Sequence, residues 1–137
     1  MNIHFLTRES YIDPRSASLG VLEFEQLPFE PKRAYWISDF KEGATRGFHA
    51  HKNLNQIMIL LRGSIDIFLY KGTSCLEFNL KENSDYLVVP SGHWREMKNA
   101  SHETVLLVLA DSKYDESDYI RSWPEYIKWH SEFFDEG

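Results

Sequence analysis

The most constraining feature of this chain is an apolar residue at every second position, in short runs separated by turn-forming residues. In residues 64–70, for example, Ile65, Ile67 and Leu69 share one face of an extended chain. A period of two is that of a β-strand, whereas a helix repeats every 3.6 residues. The runs predicted as strands are 21–25, 34–37, 56–61, 64–70, 76–80, 86–89 and 104–110. The pattern predicts an all-β fold with half-buried antiparallel sheets.

The C-terminal stretch has a different pattern. Ser122 is typical of a helix N-cap, and Glu125 stands where it would close a capping box. The apolar residues that follow are Tyr126, Ile127, Trp129, Phe133 and Phe134. We therefore expect a double-sheet sandwich or jelly roll with a short C-terminal helix packed on it. No repeat or linker interrupts the chain, so residues 1–137 are predicted to form one domain.

Charge and hydropathy exclude several classes of protein. A net charge of -6 argues against a general nucleic-acid or membrane-surface binder, because both need a basic face. The longest apolar run, residues 105–110, is far short of the roughly 20 residues of a membrane span. Residues 1–9 lack the apolar region of a secretory signal. The single cysteine, Cys75, fits a reducing compartment and is given no chemistry, so we expect a cytoplasmic protein.

The clearest chemical signal is the pair His49 and His51. Residues two apart on a strand project from the same face, so the two imidazoles should meet in one small volume, with Phe48 and Ala50 on the other face. For an arbitrary His-x-His, two surface residues of a strand explain the pattern equally well. A metal site is the next interpretation, because imidazole is the commonest protein metal ligand.

The surroundings of the histidines resemble the cupin superfamily. Its first motif has His-x-His, a Glu after three or four residues, and a Gly after six more. Here Gln56 stands at the Glu position and Gly63 at the Gly position. The second motif, Pro-x-Gly-x-x-His-x-x-x-Asn, is matched by residues 90–99 with Arg95 in place of the His. Two of the four usual metal ligands of the superfamily are thus replaced.

Both replacements argue against a metal. Gln56 removes a negative charge that would offset a divalent ion, and Arg95 adds a permanent positive charge without a lone pair. His93 lies two residues early and is differently placed. We expect no metal and no cofactor, which leaves His49 and His51 as candidates for acid–base chemistry.

The chain as a whole resembles the sugar-nucleotide 3,4-ketoisomerases, a metal-free cupin family that acts on a dTDP-linked 4-keto-6-deoxyglucose. The most specific matches are the runs Arg46-Gly47-Phe48-His49-Ala50-His51-Lys52 and Tyr114-Asp115-Glu116-Ser117-Asp118-Tyr119-Ile120-Arg121. The resemblance implies a jelly-roll homodimer with an exchanged N-terminal strand. It also implies that the keto group moves from carbon 4 to carbon 3 through an enediol, in deoxyamino-sugar biosynthesis for surface glycans such as lipopolysaccharide O-antigen.

The same resemblance suggests roles for individual residues. His51 is the expected base, and His49 the partner that shuttles or donates a proton. Tyr35 is a candidate hydrogen-bond donor to a substrate oxygen, although a core aromatic is an equally good interpretation. Arg95 is expected at the sugar end of the cavity, where its charge could stabilise an enediolate or hold a carboxylate. The other candidate substrate-binding residues are Arg33 and Arg46 for the diphosphate, together with Arg15, Lys52, Gln56 and Ser64.

Three questions stay open from the sequence. Ser16 follows Arg15 where the family usually has Gly, and Arg95 stands where it commonly has His, so both the gluco and the galacto 3-keto products remain candidates. A related cupin epimerase, inverting carbons 3 and 5 of the same substrate, is the second enzyme hypothesis. The third hypothesis is a non-catalytic cupin that binds the nucleotide sugar.

Overall fold

The computed structural model describes residues 1–133, which form mainly short antiparallel strands. The strands are β1 (His4–Leu6), β2 (Glu9–Ile12), β3 (Ser18–Val21), β4 (Arg33–Ile37), β5 (Arg46–His51), β6 (Gln56–Arg62), β7 (Ser64–Lys71), β8 (Ser74–Lys81), β9 (Tyr86–Val89), β10 (Trp94–Lys98), β11 (Val105–Ala110) and β12 (Tyr119–Ile120). One helix, α1 (Trp123–Phe133), follows them, and 3-10 turns occupy Phe24–Gln26 and Glu116–Asp118.

Most strands belong to two five-stranded sheets. The first has the order β1-β9-β6-β11-β4, and the second the order β12-β5-β10-β7-β8. β2 and β3 form a separate two-stranded hairpin. All strand pairs are antiparallel. This confirms the predicted all-β double-sheet sandwich of the jelly-roll type with a C-terminal helix.

The alternating residues supply the core between the two sheets. Ile65, Ile67 and Leu69 are at most 1% exposed, as the period of two predicts. They pack with Met58 and Leu60 of the first sheet. Toward one end of the sandwich the inward positions become polar, at Tyr35, Gln56 and Arg95. That change from apolar to polar lining places the candidate site at this end.

The strand predicted at 21–25 is wrong. β3 ends at Val21, and the chain then makes a 3-10 turn at Phe24–Gln26. The physical reason is that Leu22, Leu27 and Phe29 pack across the outer face of the first sheet, against residues such as Ile57 and Ile59. A segment that packs across the face of a sheet can be as apolar as a strand, although it forms no ladder hydrogen bonds. The predicted strands from 34–37 to 104–110 all match observed ones.

The predicted C-terminal helix is confirmed. The backbone N–H of Glu125 donates to the Ser122 hydroxyl at 3.4 Å, as expected for an N-cap. Tyr126 is fully buried against Ala50 and Trp94. The helix therefore packs on the outer face of the second sheet, behind the histidine strand. Phe134 lies outside the described residues.

Two further findings concern the surface of the molecule. Cys75 is exposed on β8, where it is a free thiol. Across residues 1–133, the structure holds no helix that is both long and apolar enough to span a bilayer.

Candidate active site

A cavity of about 360 Å³ opens between the two sheets at their β4 and β5 edges. Its walls come from β4, β5, β10 and the segment that runs from Tyr119 to Arg121. Four arginines line it, at positions 33, 46, 95 and 121. The chain is acidic overall, so this cavity concentrates positive charge where an anionic ligand could enter.

The two histidines of β5 lie together at this cavity. Their ring centroids are 5.0 Å apart, and the rings meet edge to face. His49 lines the cavity, whereas His51 is 1% exposed and lies beneath the ring of Tyr119, whose centroid is 4.4 Å away. Ala50, between them, is buried on the opposite face against the helix. The structure therefore brings the two imidazoles to one face, one at the cavity wall and one behind it.

A bulge in β5 precedes the first histidine. β10 pairs Arg95 with His49 and Glu96 with Gly47, so Phe48 has no partner in the ladder. Gly47 and Phe48 both have positive φ, at 90° and 56°. A bulge of this kind bends a strand and redirects its side chains. Phe48 is consequently 40% exposed, rather than packed under the sheet beside Ala50.

The hydrogen bonds of the two imidazoles determine which ring nitrogen carries the proton. His49 Nδ1 lies 3.0 Å from the carbonyl oxygen of Gly47, and His51 Nδ1 lies 3.0 Å from a carboxylate oxygen of Asp118. Carbonyl and carboxylate oxygens only accept, so each Nδ1 donates a proton. In the neutral rings Nε2 then carries the lone pair. Nε2 of His51 is buried and makes no hydrogen bond within residues 1–133.

The surroundings keep both imidazoles neutral at pH 7. Burial, followed by the positive charge of Arg95, lowers the pKa of His49 from 6.5 to about 3. The same two causes lower the pKa of His51 from 6.5 to about 2. Each neutral imidazole keeps its Nε2 lone pair, and this is the form of the ring that can accept a proton.

Arg95 connects the histidines to the opposite sheet. Its guanidinium is 1% exposed, donates through Nη1 to the Gln56 side-chain oxygen, and donates through Nη2 to the His93 carbonyl. The Gln56 amide in turn donates to the Tyr35 hydroxyl at 2.8 Å. Because Tyr35 oxygen accepts this bond, its own hydrogen is available to a group in the cavity. Burial raises the pKa of Tyr35, which keeps the phenol protonated.

The charge of Arg95 is not neutralised by direct contact with an acid. Among the described residues no carboxylate lies within ion-pair distance of its guanidinium, although burying an unpaired charge is costly. Residues 1–133 likewise contain no cluster of three histidine, cysteine or acidic side chains suited to a metal ion. The cation at this point of the fold is the guanidinium, in contact with Gln56 where the superfamily's carboxylate ligand would be.

The segment 114–121 covers the histidines. The sequence predicts no role in the site for its individual residues. Tyr119 contacts both imidazole rings, and the Arg121 guanidinium stacks 4.1 Å above the Tyr119 ring. Glu116 accepts two hydrogen bonds from Arg121, at 2.7 and 2.9 Å. This segment was recognisable in the sequence as a specific run, but its contact with β5 depends on the fold.

The remaining predicted site residues divide into two groups. Tyr35, Arg33 and Arg46 line the cavity, and the Arg33 guanidinium lies 5.4 Å from the Tyr35 ring centroid. Residues that do not line it are Lys52, Ser64, Gln56 and Arg15. Ser64 bonds instead with Ser101 and Thr104 at a turn, and Arg15 is on the loop between β2 and β3.

Comparison with known proteins identifies close relatives. The family model "FdtA: WxcM-like, C-terminal" matches residues 1–131. TDP-4-oxo-6-deoxy-alpha-D-glucose-3,4-oxoisomerase of Aneurinibacillus thermoaerophilus is 39% identical over 118 residues, which are 86% of this chain and 85% of that protein.

Solved structures of similar proteins share the whole fold. One is a histidine-to-asparagine variant of the 3,4-ketoisomerase QdtA from Thermoanaerobacterium thermosaccharolyticum with TDP-4-keto-6-deoxyglucose, at TM-score 0.91, 34% identity and 98% coverage of both chains. A 3,4-ketoisomerase from Helicobacter canadensis matches at TM-score 0.89 and 38% identity, over 96% of this chain and 98% of that one. A dTDP-4-dehydrorhamnose 3,5-epimerase from Bacillus anthracis shares the fold at TM-score 0.75, with 15% identity over 86% of this chain and 77% of that one.

Proposed function

The chain belongs to the FdtA and WxcM-like family, and on this premise we propose that it is a TDP-4-keto-6-deoxyglucose 3,4-ketoisomerase. It moves the keto group of the hexose from carbon 4 to carbon 3 by acid–base chemistry. The observation that carries this proposal is the pair of neutral imidazoles beside the buried guanidinium of Arg95. An isomerisation through an enediol needs a base, a proton carrier and a fixed positive charge, and these three groups supply them.

The first step removes the proton from carbon 3. Nε2 of His51 takes this proton, the C–H electron pair forms the double bond between carbons 3 and 4, and oxygen 4 gains the negative charge. Arg95 and the Tyr35 hydroxyl stabilise that charge, the first by its fixed cation and the second by its free hydrogen. Asp118 favours His51 as the base, because the carboxylate stabilises the imidazolium that forms.

The second step returns a proton to carbon 4. His49 lines the cavity and carries protons between the two oxygens of the enediol and carbon 4, through its Nε2 lone pair. Oxygen 3 loses its proton to His49 as the carbonyl forms at carbon 3, and His49 passes a proton to carbon 4. The proton that His51 took from carbon 3 goes to oxygen 4, which returns both imidazoles to their neutral form. The oxidation of carbon 3 is balanced by the reduction of carbon 4, so the reaction needs no redox cofactor.

Access to His51 requires one local movement. The Tyr119 ring covers His51 and separates its imidazole from the open part of the cavity. The hexose therefore reaches Nε2 of His51 by displacing the edge of this ring. A rotation of the Tyr119 side chain suffices for this, because its backbone in β12 is paired with β5.

The cavity mouth suits the diphosphate of the substrate. Arg33 and Arg46 line it, and neither forms an ion pair within the described part of the chain. Guanidinium groups bind phosphate oxygens in a bidentate manner. Arg121 also lines the cavity, where it donates two hydrogen bonds to Glu116. Lys52 and Ser64 stay predictions as substrate-binding residues.

We also propose an assembly and a location for the protein. The chain is one cupin domain that forms a homodimer with an exchanged N-terminal strand. In this single chain β1 pairs with β9 of its own sheet. The support for a dimer is the β2–β3 hairpin, on which Tyr11, Ile12 and Leu19 are exposed. Arg15 lies on the same hairpin, where exchange could bring it to a partner's cavity. We place the enzyme in the cytoplasm, with nucleotide-linked sugars.

The two alternatives differ in what happens to the sugar. A 3,5-epimerase would exchange the protons on carbons 3 and 5 and leave the ketone at carbon 4. A binding protein would bind the TDP-sugar without exchange. The paired histidines followed by Gln56 favour the ketoisomerase, since the two imidazoles lie together on one face of β5, 5.0 Å apart.

The test is turnover by metal-stripped protein. Protein shown to be metal-free by elemental analysis should convert TDP-4-keto-6-deoxyglucose to its 3-keto isomer, and chelators should leave the rate unchanged. The His51→Asn variant should bind TDP with nearly the wild-type Kd and lose turnover, because it lacks the base and keeps the arginines. A stoichiometric zinc or iron requirement would contradict the mechanism, and near-normal activity of His51→Asn would assign the base to another residue.

A further inference from the structure

Within residues 1–133, the carboxylate of Asp118 is the one acidic group in direct contact with a proposed catalytic imidazole. We infer that Asp118 is the positioning residue of His51: it holds the ring in the tautomer with the proton on Nδ1, and an asparagine side chain cannot replace it. The inference rests on the proposed function and adds a residue to it. Asp118 does not touch the cavity, so it acts only through His51.

The contacts of Asp118 leave its side chain one orientation. Oδ2 accepts from His51 Nδ1 at 3.0 Å, and Oδ1 accepts from the backbone N–H of Asn53 at 2.8 Å. The backbone N–H of Leu54 also points to Oδ2, at 3.3 Å. The side chain is only 13% exposed, so water cannot readily substitute for these partners. All three partners donate hydrogen bonds, and they approach both ends of the side chain. Only a group with two acceptor oxygens can accept from all of them.

An amide at this position would present the wrong group to the histidine. In Asp118→Asn one oxygen becomes an NH2 group, which donates. The strong bond from Asn53 N–H requires an acceptor at the Oδ1 position, so the remaining oxygen stays there and the NH2 group turns toward His51. Nδ1 of His51 must then accept, and the ring proton moves to Nε2. A protonated Nε2 cannot remove the proton from carbon 3.

The backbone of the segment does not depend on the carboxylate. The carbonyl of Asp118 accepts from Lys52 N at 3.0 Å, and its N–H donates to the Asp115 carbonyl at 3.0 Å. Tyr119 and Ile120 pair with β5 through the backbone as well. Asp118→Asn is nearly isosteric, so the segment should keep its place while the tautomer of His51 changes.

The experiment combines kinetics with nitrogen NMR on histidine labelled with 15N. The wild-type His51 ring should show its proton on Nδ1, and in Asp118→Asn the proton should appear on Nε2. The kcat of the variant should fall by about 100-fold or more, as expected for a base held in the wrong tautomer, while Kd for TDP stays within about twofold. The His51 signals are assigned with the His51→Asn variant.

Asp115→Asn is the matched control. Asp115 lies in the same segment and accepts from the backbone N–H and the hydroxyl of Ser117, but it does not touch a histidine. The Asp115→Asn variant should perturb the segment and leave both the tautomer of His51 and kcat near their wild-type values. If Asp118→Asn keeps the proton on Nδ1, or keeps kcat within about threefold of wild type, the inference is wrong. A wild-type protein without ketoisomerase activity would refute the proposed function alone, because the NMR comparison would still test the contact.

Discussion

Single residues set the chemistry of this site through burial and one fixed charge. His49 and His51 are neutral because they are buried beside Arg95, and their Nδ1 atoms are occupied by acceptors. Arg95 is itself fixed by Gln56, so the positive charge cannot swing away when the histidines take up protons. Because the folded protein holds both histidines neutral, its free energy of unfolding should fall in acid.

The first prediction concerns stability in acid. The unfolded chain has histidines with a pKa near 6.5, whereas the folded values are about 3 and about 2. Between pH 6.5 and 3 the unfolded state therefore binds more protons, and the folded state loses stability as the pH falls. From pH 7 to 5 each histidine should remove about 2 kcal/mol from the free energy of unfolding. Above about pH 8, where the unfolded histidines are also neutral, the two residues should add almost no pH dependence.

Urea unfolding at pH 7 and pH 5 measures this effect. The double variant His49→Asn, His51→Asn serves as the comparison, because other acidic groups titrate equally in both proteins. The wild type should lose more stability between the two pH values than the variant does. Equal losses in both proteins would mean that the histidines are not held neutral in the folded state.

Sequence reasoning reached some of these residues and not others. The spacing of two on a strand predicted that His49 and His51 meet, and the motif substitutions placed Arg95 beside them. Asp118 lies 67 residues from its partner His51, so no local pattern connects the two. The chain also separates Tyr35 from Gln56 by 21 residues, and their hydrogen bond appears only when the sheet pairs them through β11.

At the scale of elements, the bulge in β5 brings Gly47 close to the backbone of Arg95 on β10. Gly47 has a φ of 90°, and a Cβ atom there would lie 2.8 Å from the Arg95 carbonyl oxygen. That oxygen belongs to the β10 backbone, so it cannot rotate away as a side chain would. The close approach of the two strands therefore helps to fix the position of Arg95.

Gly47→Ala is the second prediction. Backbone strain together with the collision should cost about 1–3 kcal/mol of stability and lower kcat at least tenfold, because Arg95 is displaced. Gly43→Ala is the control, since Gly43 also has positive φ but a Cβ atom there meets nothing within 4 Å. It should lose stability through strain alone and keep its kcat. Equal effects of the two substitutions on kcat would contradict the role given to the bulge.

The elements also show where period-two reasoning succeeds. β6, β7, β8, β9 and β11 are long or strongly apolar, and the alternation located each of them. β10 was missed, because its inward positions include Arg95 and its sequence does not look apolar. β1 and β2 were missed because they are short and exposed, so burial leaves no pattern in them.

At the scale of the whole molecule, the β2–β3 hairpin is an apolar feature that the described fold leaves uncovered. The β2–β3 hairpin pairs with neither five-stranded sheet in the described chain, and Tyr11, Ile12 and Leu19 are 57%, 66% and 61% exposed. An isolated two-stranded hairpin is marginally stable in water. A second copy of the chain is the cover that the family resemblance implies.

The third prediction is therefore a dimer in solution. Light scattering after gel filtration should give twice the chain mass, and Leu19→Asp should shift the equilibrium toward single chains by adding charge to the covered surface. Leu76→Asp is the control, because Leu76 is 54% exposed on β8, away from the hairpin. A wild-type mass of one chain at micromolar concentration would refute the dimer.

The central claim is that this cavity moves a carbonyl from carbon 4 to carbon 3 with proton transfer at those two carbons only. The most direct measurement is NMR of TDP-4-keto-6-deoxyglucose incubated with the enzyme in heavy water. We expect deuterium at carbon 4 and a carbonyl at carbon 3. Exchange at carbons 3 and 5 with the ketone still at carbon 4 would indicate an epimerase, no exchange would indicate a binding protein, and either result would contradict the account.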